Sequence, residues 1–263
     1  MEKIEIAVLG IVQGITEFFP VSSTAHMMIV SWLFSWEDAG LRTAVWLHAG
    51  TLASILFCFR KDWMKVARGL ARAGARGSLD SPEARMGAGL LITVLPSVAA
   101  GLAFEHLVAG ALRQPQAVVA GLVAGSAALF LADRKPREGK RLRDVSIRDC
   151  LVIGVAQAFA LAPGVSRAGA SISGGMFLGY TREESAKFAF MMGVPAIGAA
   201  IGRTAWNNGF ALPDGGDAAG AVIAAAAGVF AVRFLMRFAR RGGYMPFVAY
   251  RMAVALALLV FFV

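Results

Sequence analysis

The sequence is short of charge and of cysteine. Charged residues make up 16% of its 263 positions, where a soluble domain carries roughly a quarter. Too little charge remains to coat a water-facing surface, which excludes an ordinary cytosolic enzyme. Its two cysteines, Cys58 and Cys150, sit in or beside apolar stretches with no paired spacing. They read as small core hydrophobes, which excludes a disulfide scaffold. Disorder is excluded by what is present instead: 57% hydrophobic residues and a mean hydropathy of +0.64.

Apolar runs near the length needed to cross a bilayer, about 17–25 residues, lie at 41–60, 86–106, 115–133, 186–206, 218–236 and 244–263. The net charge of +9 is sorted around them. Basic residues fill residues 61–85 (Lys61, Lys65, Arg68, Arg72, Arg76, Arg85), residues 134–148 (Arg134, Lys135, Arg137, Lys140, Arg141, Arg143, Arg148), the pair Arg182 and Lys187, and the cluster Arg233, Arg237, Arg240 and Arg241. The other connections hold only Lys3, Arg42, Arg113 and Arg203. The positive-inside rule puts the rich loops in the cytoplasm, so the charge reports topology and attraction to anionic lipid; a nucleic-acid surface is not expected.

Because 134–148 and 181–187 are both basic, the chain between them must enter the membrane and return on the same side. It contains PGVSRAGASISGG (163–175), a poor continuous helix, and reads as a re-entrant helical hairpin. The first 34 residues are broken in the same way around FFPVSSTAH (18–26), and the polar centre with Glu2 and Glu5 argues against a cleavable signal peptide. The two breaks align without a gap, Gln13 over Gln157, Val21 over Val165 and Ser22 over Ser166; Pro96 and Pro246 are expected in comparable places of the two halves. The expectation is an all-α integral membrane protein with about six transmembrane helices and two re-entrant hairpins in an inverted-topology repeat, the first hairpin outside and the second inside. It forms a single domain over 1–263, with repeat one at 1–133, a cytoplasmic linker at 134–148 and repeat two at 149–263.

Irregular backbone at membrane depth survives only where protein buries it or a wet cavity needs it, so two breaks point to a site. Intramembrane ionisable groups are few: Glu17, His26, His48, Arg167 and Arg251. Ser22, Ser23 and Thr24 bring hydroxyls and N–H groups to a helix start, which suits an anion. His26, three residues after Ser23, shares its helical face and would complete a hydroxyl–imidazole pair for nucleophilic or acid–base work. In the second break an Arg167 fork suits phosphate oxygens beside Ser166, and Gly164 lets backbone approach a ligand. Together these residues point to a phosphate-ester or diphosphate site. Structural alternatives stand beside it: Glu17 with Arg167 as an ion pair between repeats, His48 as a packing residue, and Arg251 bound to a carboxylate or helix ends instead of ligand. Gly10/Gly14, Gly121/Gly125 and Gly198/Gly202 read as helix-packing pairs.

QGITEFFPVSSTAHM and APGVSRAGASISGGM resemble the two signature segments of the undecaprenyl-diphosphate phosphatases of the bacitracin-resistance type, and the resemblance extends over essentially the whole chain. The family's first motif, Glu/Gln-x-x-x-Glu then Pro-x-Ser-Ser-(Ser/Thr)-Gly-His, falls on Gln13, Glu17, Ser22, Ser23, Thr24 and His26. The second, Pro-Gly-x-Ser-Arg-Ser-x-x-Thr, falls on Pro163, Gly164, Ser166 and Arg167. This sequence departs from the pattern at Gln13, where some members have Glu, at Ala25 for Gly, at Ala168 for Ser, at Ser171 for Thr, and at His48 where many have Gln.

The resemblance implies an enzyme of the bacterial inner membrane that hydrolyses a polyprenyl diphosphate to its monophosphate and inorganic phosphate, recycling the lipid carrier of cell-wall synthesis. Ser23 or His26 would attack the terminal phosphorus; the favoured roles are Ser23 as nucleophile and His26 as general acid/base, with the reverse as the alternative. Glu17 would orient His26 or hold a divalent cation, Mg²⁺ or Ca²⁺. Arg167, Ser22, Thr24, Ser166 and Gly164 would bind phosphate, supported by Gln13, Ser171 and Arg251. The expected partners are the polyprenyl diphosphate, the bilayer and, in assembly, a second copy of the chain. An inverted repeat also suits a lipid-phosphate flippase or anion transporter, which needs the anion site but no nucleophile or proton donor.

Overall fold

The computed structural model describes residues 3–262 apart from 38, 105, 108, 109, 136–138 and 210; Glu2 and Arg137 therefore lie outside the described residues. The described chain is all-α. It runs α1 (Lys3–Thr16), α2 (Ser23–Phe34), α3 (Gly40–Cys58), α4 (Arg60–Arg76), α5 (Pro82–Ile92), α6 (Val94–Ala103), α7 (Pro115–Arg134), α8 (Ile147–Ala158), α9 (Arg167–Phe177), α10 (Arg182–Asn208), α11 (Gly215–Arg241) and α12 (Met245–Phe262). Six stretches are long and apolar enough to cross a membrane: α3, α5 with α6, α7, α10, α11 and α12. They coincide with the six apolar runs, because the charges that end each run are also where helices find caps and water. Asp214 caps α11 and Ser146 caps α8, each through a capping box with the residue three on.

Two features differ from the sequence expectation. The run over 86–106 is two helices meeting at Thr93. Pro96 has no N–H to continue the ladder, and its ring meets the carbonyl of Ile92. Pro246 instead opens α12 in its first turn, where a missing N–H costs nothing. The two prolines thus occupy the second long span of one half and the third of the other, and the expected pairing between them does not hold. Second, residues 61–85 are not a plain loop. They contain α4, whose Val66 and Leu70 side chains reach Gly87 of α5 while Arg60, Lys61, Lys65, Arg68 and Arg72 stay outside.

The basic segments gather at one end of the molecule. Lys187 reaches Asp62 at 2.7 Å, Arg182 reaches Asp133 at 2.5 Å and Arg240 reaches Glu183 at 2.7 Å. Behind them Asp149 accepts from Lys140 at 2.7 Å and from the Tyr180 hydroxyl at 2.8 Å. Burial pushes the Asp149 carboxyl up, and hydrogen bonds from Lys140, Ser146 and Tyr180 outweigh it and hold it below the usual carboxylate range. At the opposite end Arg42 pairs with Asp214 and, at 2.7 Å, with Asp217.

α1 lies against α11 through small residues. A Cβ on Gly10 would sit 3.0 Å from the Gly220 carbonyl, and one on Gly14 would sit 2.6 Å from that of Ala224. Across the fold, a Cβ on Gly121 would collide with the Pro163 carbonyl and one on Gly125 with Arg251. These two expected packing pairs are contacts within the chain; Gly198 and Gly202 face open space. The helix breaks 17–22 and 162–166 meet near the middle, where the Gly164 N–H donates to Ser22 Oγ at 3.1 Å.

Candidate active site

Each break ends on a serine in the left-handed region, Ser22 at φ 78° and Ser166 at φ 75°. Such a conformation costs a non-glycine residue about 1–3 kcal/mol. In both places the side chain caps the next helix, Ser22 accepting from the Ala25 N–H and Ser166 from the Gly169 N–H. The strain is held by Arg251, whose side chain is 0% exposed. Its guanidinium donates to Pro20 O at 2.8 Å in the first break, to Gly164 O at 2.8 Å and Val165 O at 3.1 Å in the second, and to Ser126 Oγ at 3.0 Å on α7. A buried cation is tolerable only with such partners. Arg251 therefore ties the two breaks together through their carbonyls, so it binds helix ends, with no carboxylate partner among the described residues.

At the junction lies a cavity of about 350 Å³. Glu17, Ser22, Ser23, Thr24, Ser166 and Arg167 line it, so the structure brings most of the expected set together. Glu17, only 6% exposed, is the centre. Its Oε1 accepts from Arg167 Nη2 at 3.0 Å and Nε at 3.3 Å. Its Oε2 accepts from the Ser23 hydroxyl at 2.7 Å and from Gln13 Nε2 at 3.1 Å. Arg167 also donates to Ala189 O at 3.2 Å, which aims the fork. The first turns of α2 and α9 begin here, so the N–H groups of Ser23, Thr24, Arg167 and Ala168 precede the first bonds of their helices and bias the cavity toward an anion.

Several expected residues lie elsewhere or are already engaged. His26 does not pair with Ser23. Its Nδ1 donates to Ser22 O at 2.8 Å, which leaves Nε2 to accept from the Tyr250 hydroxyl at 2.8 Å. Ser23 is the first residue of α2 and turns back toward Glu17, so the three-residue spacing does not bring the two side chains together. The Gly164 N–H is committed to Ser22 Oγ, and the Ser171 hydroxyl bonds back to Arg167 O at 2.8 Å within its helix; neither faces the cavity. His48, read from sequence as packing, lines the cavity instead, with Nε2 3.8 Å from Glu17 Oε2 and Nδ1 donating to Ala44 O. Thr16, Ser97 and Gln157 line it too, and only the alignment of Gln157 with Gln13 hinted at one of them.

A resident divalent cation finds a poor donor set here. Both oxygens of the one carboxylate are taken by Arg167, Ser23 and Gln13. Among the described residues no group of three His, Cys, Asp or Glu side chains could enclose a metal.

The walls of the cavity are apolar on one side, with Leu41, Val45, Ile197 and Ile201 facing it. They continue into a groove of about 250 Å³ lined by Leu41, Val45, Trp46 and Ile201 between α3 and α10. The residues involved belong to the start of α3 and the end of α10, so the opening is at the end of the molecule opposite the basic loops.

Comparison with known proteins places this arrangement. The family profile described as bacitracin resistance protein BacA matches residues 6–257. Among the relatives is an undecaprenyl-diphosphatase of Teredinibacter turnerae, 34% identical over 99% of both chains. Another, from a Synechococcus species, is 38% identical over 96% of this chain and 91% of the relative. A third, from Thermodesulfovibrio yellowstonii, is 36% identical over 99% and 98%. All three carry that name.

Proposed function

This chain belongs to the bacitracin resistance protein BacA family, and we propose that it uses the junction of its two helix breaks to do what its relatives' shared name says. It is a multi-pass membrane enzyme, an undecaprenyl-diphosphatase, which hydrolyses undecaprenyl diphosphate and so returns the lipid carrier to use. The observation that carries the site assignment is the Ser23 hydroxyl 2.7 Å from Glu17 Oε2, with Arg167 on the other oxygen of the same carboxylate.

In this reading the phosphate oxygens of the substrate draw the Arg167 fork away from Glu17, since a guanidinium matches phosphate bidentately. The freed carboxylate takes the Ser23 proton while Ser23 Oγ attacks the terminal phosphorus. The bond from that phosphorus to the bridging oxygen breaks, and undecaprenyl monophosphate leaves. Water then cleaves the phosphoserine, yielding inorganic phosphate and restoring the hydroxyl. Arg167 and the first-turn N–H groups of α2 and α9 stabilise the charge that develops on the equatorial oxygens. His26 serves by position, holding Ser22 O and with it the start of α2. The prenyl tail follows the apolar wall between α3 and α10 into lipid.

A divalent cation belongs to this proposal only as one that arrives on the diphosphate, a mode Mg²⁺ commonly uses; no step above depends on it. The meeting of two broken helix pairs supports re-entrant hairpins arranged as an inverted repeat. α1 packs on α11 of the other half as α8 packs on α5 and α6 of the first. With the basic end in the cytoplasm of a bacterial inner membrane, the cavity faces the outer side. A homodimer in the membrane is part of the same proposal and is tested by light scattering in detergent. A lipid-phosphate carrier would need the anion site but not a serine on a carboxylate, so that pair favours the hydrolase. Inorganic phosphate released from undecaprenyl diphosphate by the purified chain, with a phosphoserine trapped at Ser23 on acid quench, is the expected result. Exchange of lipid phosphate across proteoliposomes without phosphate release would overturn it.

A further inference from the structure

The cavity holds a fourth serine, with different chemistry. Ser97 of α6 lines it, and its oxygen accepts from Gln157 Nε2 at 3.0 Å. Most hydroxyls within these helices bond back to a carbonyl three or four residues earlier. Thr16, Thr51, Ser54, Thr93, Ser126 and Ser171 all do so. Ser97 makes no such bond, and its proton has no acceptor among the described residues. Gln157 is only 4% exposed, lines the same cavity, and its Oε1 is buried without a donor among the described residues. A glutamine kept purely for packing would avoid that cost.

Gln13 and Gln157 each stand nine residues before a left-handed serine, yet they do opposite work. Gln13 donates to the carboxylate that binds Ser23. Gln157 donates to a hydroxyl directly, with no base beside it. An oxygen that accepts an amide N–H and has no base partner is a poor nucleophile, and its own proton is free to be given. A diphosphate offers two phosphates, and only one is attacked.

We propose that Ser97, oriented by Gln157, donates a hydrogen bond to the phosphate that stays on the lipid, forming a second subsite distinct from the Glu17–Ser23–Arg167 cluster. This rests on the hydrolase reading above for the identity of the ligand. Ser97 contacts substrate, and Gln157 acts as a positioning residue through it.

Steady-state hydrolysis of farnesyl diphosphate, inhibition by farnesyl monophosphate and by inorganic phosphate, and calorimetric binding of farnesyl monophosphate test this in parent, Ser97→Ala, Ser97→Thr and Gln157→Met. Ser97→Ala is expected to raise KM and weaken farnesyl monophosphate about ten-fold, the worth of one hydrogen bond to a charged group. Its kcat and its inhibition by inorganic phosphate should stay within about two-fold on the same ground, since the attacked phosphate is held elsewhere. Ser97→Thr should restore the parental values, and Gln157→Met should repeat the Ser97→Ala pattern more weakly. Unchanged monophosphate affinity in Ser97→Ala, or weakened inhibition by inorganic phosphate alone, would overturn the subsite. Calorimetry needs no turnover. A parent that released no phosphate but bound monophosphate ten-fold more tightly than Ser97→Ala would sink the hydrolase reading and support the subsite.

Discussion

The break after α1 and the break after α8 use nearly the same backbone, with capping serines at φ 78° and φ 75°, and they carry different side chains to the same place. The first delivers a carboxylate and a hydroxyl, Glu17 and Ser23. The second delivers a guanidinium, Arg167, aimed by Ala189 O. One frame, used twice, supplies two helix starts for an anion, and the asymmetry of the side chains decides which end does chemistry. Their common fastening is Arg251, which donates to carbonyls of both breaks. A cationic side chain that the sequence leaves open between ligand and helix ends serves here as the joint.

Ser23→Ala should lower phosphate release from undecaprenyl diphosphate by about a thousand-fold or more while leaving the helical circular dichroism unchanged, because the first break would keep its frame and lose its nucleophile. Arg167→Lys keeps the second break's charge and removes its fork; about a hundred-fold loss in kcat is expected in the same assay.

The frame itself should respond in stability. Arg251→Leu leaves carbonyls of both breaks without donors, and thermal unfolding in detergent should register a loss on the order of 3–5 kcal/mol. The smallest and most discriminating effect separates the two caps. Ser166→Ala removes a cap worth about 1 kcal/mol. Ser22→Ala removes a cap and the bond from Gly164, so about 2 kcal/mol is expected. Equal losses at the two positions would mean that the contact between the breaks contributes nothing.

Much of this frame was legible in the sequence. The six spans were, because hydropathy over some twenty residues and the placement of basic loops both report on the same boundary. The two breaks were, because Pro20, Pro163 and their Gly and Ser neighbours cannot continue a helix. The pairing of Pro96 with Pro246 failed because a proline marks a helix start as readily as a kink, and the two look alike in one dimension. α4 was hidden by its charge: its six Lys and Arg residues outweigh the few apolar positions that seat it on α5. Within the site, Glu17, Ser23 and Arg167 stood out as polar groups in broken apolar segments. His48 and Ser97 lie within long apolar runs, where a single polar residue carries no local pattern, and only the packing of α3 and α6 around the breaks brings them to the cavity. The Ser23–His26 pair looked right by helical spacing, which does not hold for the first residue of a helix whose side chain turns back on its own break.

In the proposed mechanism one carboxylate, shared between Ser23 and Arg167, makes the junction reactive. Phosphate release from undecaprenyl diphosphate by purified Glu17→Gln beside the parent tests it most directly. The amide keeps the size and a hydrogen-bonding oxygen, but it can neither take the Ser23 proton nor pair with the guanidinium. A fall of about a thousand-fold in kcat, within the range for loss of a general base, is expected in a protein that remains folded; release at the parental rate would rule Glu17 out as the base.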